Sequence, residues 1–198
     1  MTTPSAAPRG SKAVTIVNGA PEPPEKVLHA LEDMQTFLEG DAEAKAALPP
    51  GRLPRPWEPA TCPSLLREQV WLWCDDMAGW MNLHYAWHPK TLIPACWPWH
   101  PHIAAELPVL VCRHYFALEA KTPQAMEEWQ RQTLPTFLDR LGGRLGEGAC
   151  RVGKHSQWPS APRYSEFTSH DARQERHELF HADTHQPTQL HTLRRVCV

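Results

Sequence analysis

Apolar side chains recur at steps of three and four residues along four stretches of this chain, and nowhere in convincing alternation. In EKVLHALEDMQTFLEG, Val27, Leu28, Leu31, Met34, Phe37 and Leu38 fall on one side of a helix over about residues 24–40, which Gly40 is well placed to end. The strongest periodic signal covers about residues 64–86. There Val70, Trp73, Cys74, Met77, Trp80, Met81, His84 and Trp87 form a stripe about five turns long. Ser64 is placed to cap this helix, and Asp75 and Asp76 fall toward its other face.

A third helix is expected over about residues 101–121. Pro101 sits in its first turn, and Ile103, Leu107, Leu110, Val111, His114, Tyr115 and Leu118 make its buried stripe. Pro108 inside it predicts a kink or an early end. A fourth helix starts at Thr122 as N-cap with Pro123 behind it, and Met126, Trp129, Thr133, Phe137 and Leu141 mark its inward face. Pro135 interrupts this run, and Gly142-Gly143 ends it.

The connectors are rich in proline: six in ALPPGRLPRPWEPATCP and four in WHPKTLIPACWPWHP, which read as turns or extended chain. Residues 1–24, rich in Pro, Ala, Gly, Ser and Thr, have too little apolar surface to offset their ordering entropy and read as a disordered arm. Beyond Cys150 the chain turns polar and histidine-rich, with room for one short helix at 169–182. The pattern predicts an all-α fold: a small bundle of about four principal helices over 25–149. Disordered or weakly ordered arms are expected at 1–24 and 150–198.

Composition narrows the function. A chain of 198 residues holds one domain with a real core, and its net charge of −2 gives no general pull toward nucleic acid or anionic membrane. No run approaches 18 consecutive apolar residues, and the N-terminus has no apolar stretch behind its basic residues, so neither a membrane span nor a secretory signal is expected. The six cysteines show no CxxC spacing, and most sit in or beside apolar helical stretches. A reduced, cytoplasmic protein is the expectation. Residues 63–142 carry six Lys or Arg against eight Asp or Glu, whereas the segment from 150 onward carries seven against five. That excess is a weak hint of DNA association through the tail, which tail solvation explains equally well.

Two clusters invite a metal reading. HELFHADTH contains the His-Glu-x-x-His spacing of zinc hydrolases, with His177, His181 and then His185 as ligands and Glu178 as general base. Against it, Arg176, Glu175 and Asp183 surround the motif with charge, no sheet is predicted to line a cleft, and only thirteen residues follow His185. Twelve histidines in the chain make a chance match on the order of a few per cent. A solvated helix is the favoured reading, and zinc belongs only to the alternative. In CWPWHPH, Cys96, His100 and two later ligands would make a metal site. The favoured reading is a rigid Pro98/Pro101 turn with Trp97 or Trp99 packed on the core and His100 or His102 beginning the helix. No GxSxG elbow, Cys/His protease signature or phosphate loop occurs; GGRLGEG lacks the GK[ST] ending.

The stretch CWPWHPHIAAELPVL, followed by ALEAKTPQAMEEWQRQTLPTFLDRL, resembles a group of actinobacterial proteins carried on plasmids, integrated elements and prophages. The matching positions are Trp80, Cys96, Trp97, Pro98, His100, Pro101, Glu106, Leu107, Glu127, Glu128, Trp129, Leu134, Pro135, Phe137, Arg140, Cys150 and His155, across about residues 66–158. The group has no established activity, so the resemblance implies a setting, a mobile element's accessory protein, and no catalytic residues. HELFH lies outside it. Within it, Glu106 and Glu127 are expected as buried ion-pair partners of Arg113, Arg131 or Arg140.

Together these features predict a non-enzymatic interaction protein without a cofactor. Nine tryptophans exceed the needs of so small a core, and Trp71, Trp73, Trp80 and Trp87 fall on more than one helix face. They are the expected surface for a protein partner.

Overall fold

The computed structural model describes residues 19–48, 51–146, 150 and 155–185. Most of the expected N-terminal arm and the chain beyond 185 lie outside the described residues. Every regular element described is helical. By internal packing the chain divides into Met1–Leu141 and Gly142–Val198.

In the first unit, α1 (Glu25–Glu39), α2 (Ala42–Ala46), α3 (Ser64–His84), α4 (Pro101–Glu119) and α5 (Gln124–Glu128) lead through a π turn at Trp129–Thr133 into α6 (Leu134–Leu145). The core is α3 packed against α1 and α4, with the π turn against α4. Leu66, Val70, Trp73, Cys74, Met77, Ala78 and Met81 of α3 are buried, as are Ile103, Leu107, Leu110, Val111 and His114 of α4. Both stripes are those that the three- and four-residue spacing predicts. The indole N–H of Trp73 donates to the Pro21 carbonyl at 3.0 Å and so anchors the chain ahead of α1.

Several boundaries differ from the sequence expectation, each for a local reason. The short α2 was not anticipated; Asp41 caps it by accepting from the Ala44 N–H at 2.8 Å. Ser64 is the first residue of α3, with Pro63 in the capping position and no side-chain cap. Helix α4 runs on through Pro108, which is itself buried among apolar neighbours. The π turn explains how the chain tolerates Pro135. Leu134 N–H reaches back five residues to the Trp129 carbonyl, and this wider turn relieves the crowding that a proline ring imposes on an α-helix. Helix α6 then continues through Gly142 and Gly143. Two helical glycines cost about 1 kcal/mol each, which the buried Leu145 offsets at about 2 kcal/mol. Gly146, at φ +76°, follows its last residue.

Asn82 pins the connector between α3 and α4. Its side-chain amide donates to the Ile93 carbonyl at 2.9 Å and its oxygen accepts the Ile93 N–H at 2.8 Å. Beyond this clamp the 3₁₀ turn Trp97–Trp99 leads directly into α4.

Glu106 and Glu127 pair with arginines as expected, but not in buried surroundings, and Arg113 pairs with Glu128 instead. Arg140 meets Glu106 at 3.0 Å, Arg131 meets Glu127 at 3.0 Å, and Arg113 meets Glu128 at 2.7 Å, all partly or largely exposed. Such pairs contribute about 0–1 kcal/mol each.

The second unit holds α7 (Ala161–Thr168) and α8 (His170–His185) where one short helix was expected. Arg176 joins them, donating to the Phe167 carbonyl at 2.8 Å with its guanidinium 4.0 Å from the Phe167 ring centre. Among the described residues no helix is long and apolar enough to cross a membrane.

Candidate functional site

One side of α3 is built differently from its buried stripe. Ser64, Arg67, Glu68, Trp71, Leu72 and Asp75 follow one another at helical steps and therefore share a face. With Trp97, Pro98 and Ala104 opposite, they line a groove of about 730 Å³. Leu72 is 59% exposed and Trp71 half-buried, its ring centre 5.9 Å from that of the buried Trp97. Trp97 is fixed in turn because its indole N–H donates to the Asp75 carboxylate at 2.9 Å. Between the two aromatic alternatives in CWPWHPH, Trp97 is therefore the one packed inward, and Trp99 is 72% exposed.

The four tryptophans expected to form one surface have separate fates. Trp73 is core. Trp80 belongs to an aromatic cluster, 5.1 Å from His114 and 6.4 Å from Trp129. Trp87 is 92% exposed and lies past the C-terminal end of α3 beside a smaller cleft with Tyr85, Leu134 and Leu138. Only Trp71 stands in the α3 groove. Spacing alone placed Trp71 off the core stripe; the Trp97–Asp75 bond that completes the groove is a contact across 22 residues and left no local signature.

His114 is 4% exposed and makes an edge contact with Trp129 at 4.5 Å. Burial disfavours its charged form and lowers its pKa to about 4. The Trp129 N–H donates to the Leu110 carbonyl at 3.1 Å, so this cluster is a satisfied core feature. The buried thiols behave likewise. Burial pushes Cys112 up to about 12 and raises Cys62 and Cys74, which keeps all three protonated and unreactive at neutral pH.

Two cysteine–histidine pairs stand apart from these. In the first unit, the backbone of the Trp97–Trp99 turn closes through Trp99 N–H to the Cys96 carbonyl and His100 N–H to the Trp97 carbonyl, each at 3.0 Å. This turn brings Cys96 Sγ within 3.5 Å of His100 Nε2, and His100 is fully buried at the start of α4. In the second unit, Cys150 Sγ lies 3.8 Å from His155 Nδ1 and accepts the Ser156 N–H at 3.3 Å. No disulfide joins the described cysteines.

The HELFH residues lie on α8, none of whose residues is buried. His181 and His185 stack with ring centres 3.8 Å apart and planes 14° from parallel. Ring-nitrogen lone pairs lie in the ring plane, so stacked imidazoles direct them side by side instead of toward one ion. His177 tilts against Phe180, and Glu178 accepts from the Gln174 side chain at 2.9 Å. This arrangement neither gathers ligands nor encloses a substrate.

Comparison with protein-family models, with curated proteins and with solved structures finds no match to the chain.

Proposed function

We propose that the protein is a non-enzymatic binding module that holds a proline-containing, extended segment of a protein partner in the α3 groove. The observation that carries this reading is the Trp71–Trp97 pair, half-open above an indole fixed by Asp75 and flanked by the exposed Leu72. Aromatic-lined grooves suit polyproline segments, which are already extended and lose little entropy on docking. The chain contains its own instance of the mode. Ala20, Pro21, Glu22 and Pro23 line a second cleft with Trp73, whose N–H bonds the Pro21 carbonyl. The resemblance to mobile-element proteins supports an accessory role and names no reaction.

The test is fluorescence anisotropy with labelled proline-rich peptides and sequence-scrambled, proline-free controls. Trp71→Ala is expected to weaken binding at least about tenfold, the scale of an interface anchor, while Trp87→Ala leaves it unchanged. Equal binding of proline-free controls, or loss in Trp87→Ala but not Trp71→Ala, defeats the proposal.

A further inference from the structure

We propose that the α3 groove selects partner segments in which an arginine accompanies the proline, and that Glu68 and Asp75 read its charge. The inference rests on the docking reading above and names what the docked segment must carry.

Three observations converge on a cation. The first is placement. Glu68 stands three residues before Trp71 and Asp75 four residues after it, on the same face of α3, and both are exposed side chains lining the groove. From the helical rise, a cation seated over Trp71 lies about 5 Å along the axis from each carboxylate, close enough for opposite charges to couple. The second is the surface between them. Trp71 is half-buried against Trp97, so part of its indole stays open to the groove. Indole faces attract cations, and the planar guanidinium stacks on them better than an ammonium does. The third is charge balance. The lining holds two carboxylates against one guanidinium, that of Arg67. Arg67 donates to the Cys62 carbonyl at 2.9 Å, which ties its charge to the chain ahead of the helix, about two turns from Asp75. The groove is therefore acidic around Trp71.

Asp75 has two tasks. One oxygen accepts the Trp97 N–H at 2.9 Å, and a carboxylate has further acceptor sites for a guanidinium. Asp75→Asn keeps an oxygen for Trp97 and removes the charge, and Glu68→Gln removes the other charge at the surface.

The test is fluorescence anisotropy on the full-length protein with labelled proline-rich peptides that carry arginine, glutamine or glutamate at one position, and a proline-free control. At low salt, wild type is expected to bind the arginine peptide about five- to tenfold more tightly than the glutamine peptide, the scale of an exposed cation–π contact plus a surface ion pair. Added salt should shrink that ratio. Glu68→Gln with Asp75→Asn should bring the ratio to about one and leave binding of the glutamine peptide unchanged, which a purely structural role would not do. Because the double variant can misfold, Glu68→Gln is also measured alone and should lower the ratio about twofold. Equal binding of the arginine and glutamine peptides by wild type, both above the control, overturns this inference and leaves the docking reading standing. Tightest binding of the glutamate peptide overturns it in favour of Arg67 as the charge reader. Binding of no proline-rich peptide above the control overturns the docking reading, and this inference with it.

Discussion

Acid should destabilise this protein through His114. Its ring is enclosed by Trp80 and Trp129, and burial lowers its pKa from 6.5 to about 4. Between those two values the unfolded chain carries a proton on His114 that the folded chain does not. Stability therefore falls as pH drops from about 6.5, and the loss is complete near pH 4. At 1.36 kcal/mol per pH unit, the window corresponds to about 3 kcal/mol, a large share of a typical net stability of about 5–15 kcal/mol. The assay is urea unfolding followed by tryptophan fluorescence at several pH values from 7.5 to 4, on wild type and on His114→Phe. Phenylalanine keeps an aromatic ring against Trp129 and removes the titration. Other histidines and carboxylates contribute to both proteins, so the difference isolates His114. Wild type should lose about 3 kcal/mol relative to the variant across the window. A constant difference would refute the reasoning; it would mean that the indole faces solvate the imidazolium as well as water does.

Two glycines should respond to alanine with opposite signs. Gly79, exposed inside α3, has open space where a Cβ would go, so Gly79→Ala should stabilise by about 0.5–1 kcal/mol in the same unfolding assay. Gly146 has φ +76° and a Cβ there would stand 2.9 Å from Pro159 Cγ, so Gly146→Ala should cost about 1–3 kcal/mol and speed proteolysis within α7 and α8. Glu127→Gln should change stability by less than about 0.5 kcal/mol because its pair with Arg131 is exposed; a loss above about 2 kcal/mol would show that the pair is desolvated in solution.

The all-helical fold and its principal core stripes were legible in the sequence because helical burial leaves a periodic trace. Val70, Trp73, Met77 and Met81 announce their shared face by spacing alone. What stayed hidden depends on competition between local preference and distant contacts. Gly142-Gly143 reads as a stop, yet burial of Leu145 carries α6 past it. Pro135 reads as a break, yet one π turn absorbs it. The tryptophans were read correctly as too many for one face, but their sorting into core, cluster and groove required Asp75, which reaches Trp97 from a helix position that looked merely solvated.

The metal clusters show the same limit from the other side. HELFH carries a familiar spacing, but spacing places two histidines on one helix face without turning their rings. In α8 the His181 ring stacks on His185 while His177 tilts against Phe180, so the rings do not converge. Cys96 and His100 lack a familiar spacing, yet a 3₁₀ turn held by two backbone bonds at 3.0 Å brings sulfur and imidazole to the separation of neighbouring ligands. The donor geometry is thus set by a rigid proline-containing turn, a stronger constraint than an exposed helix face provides.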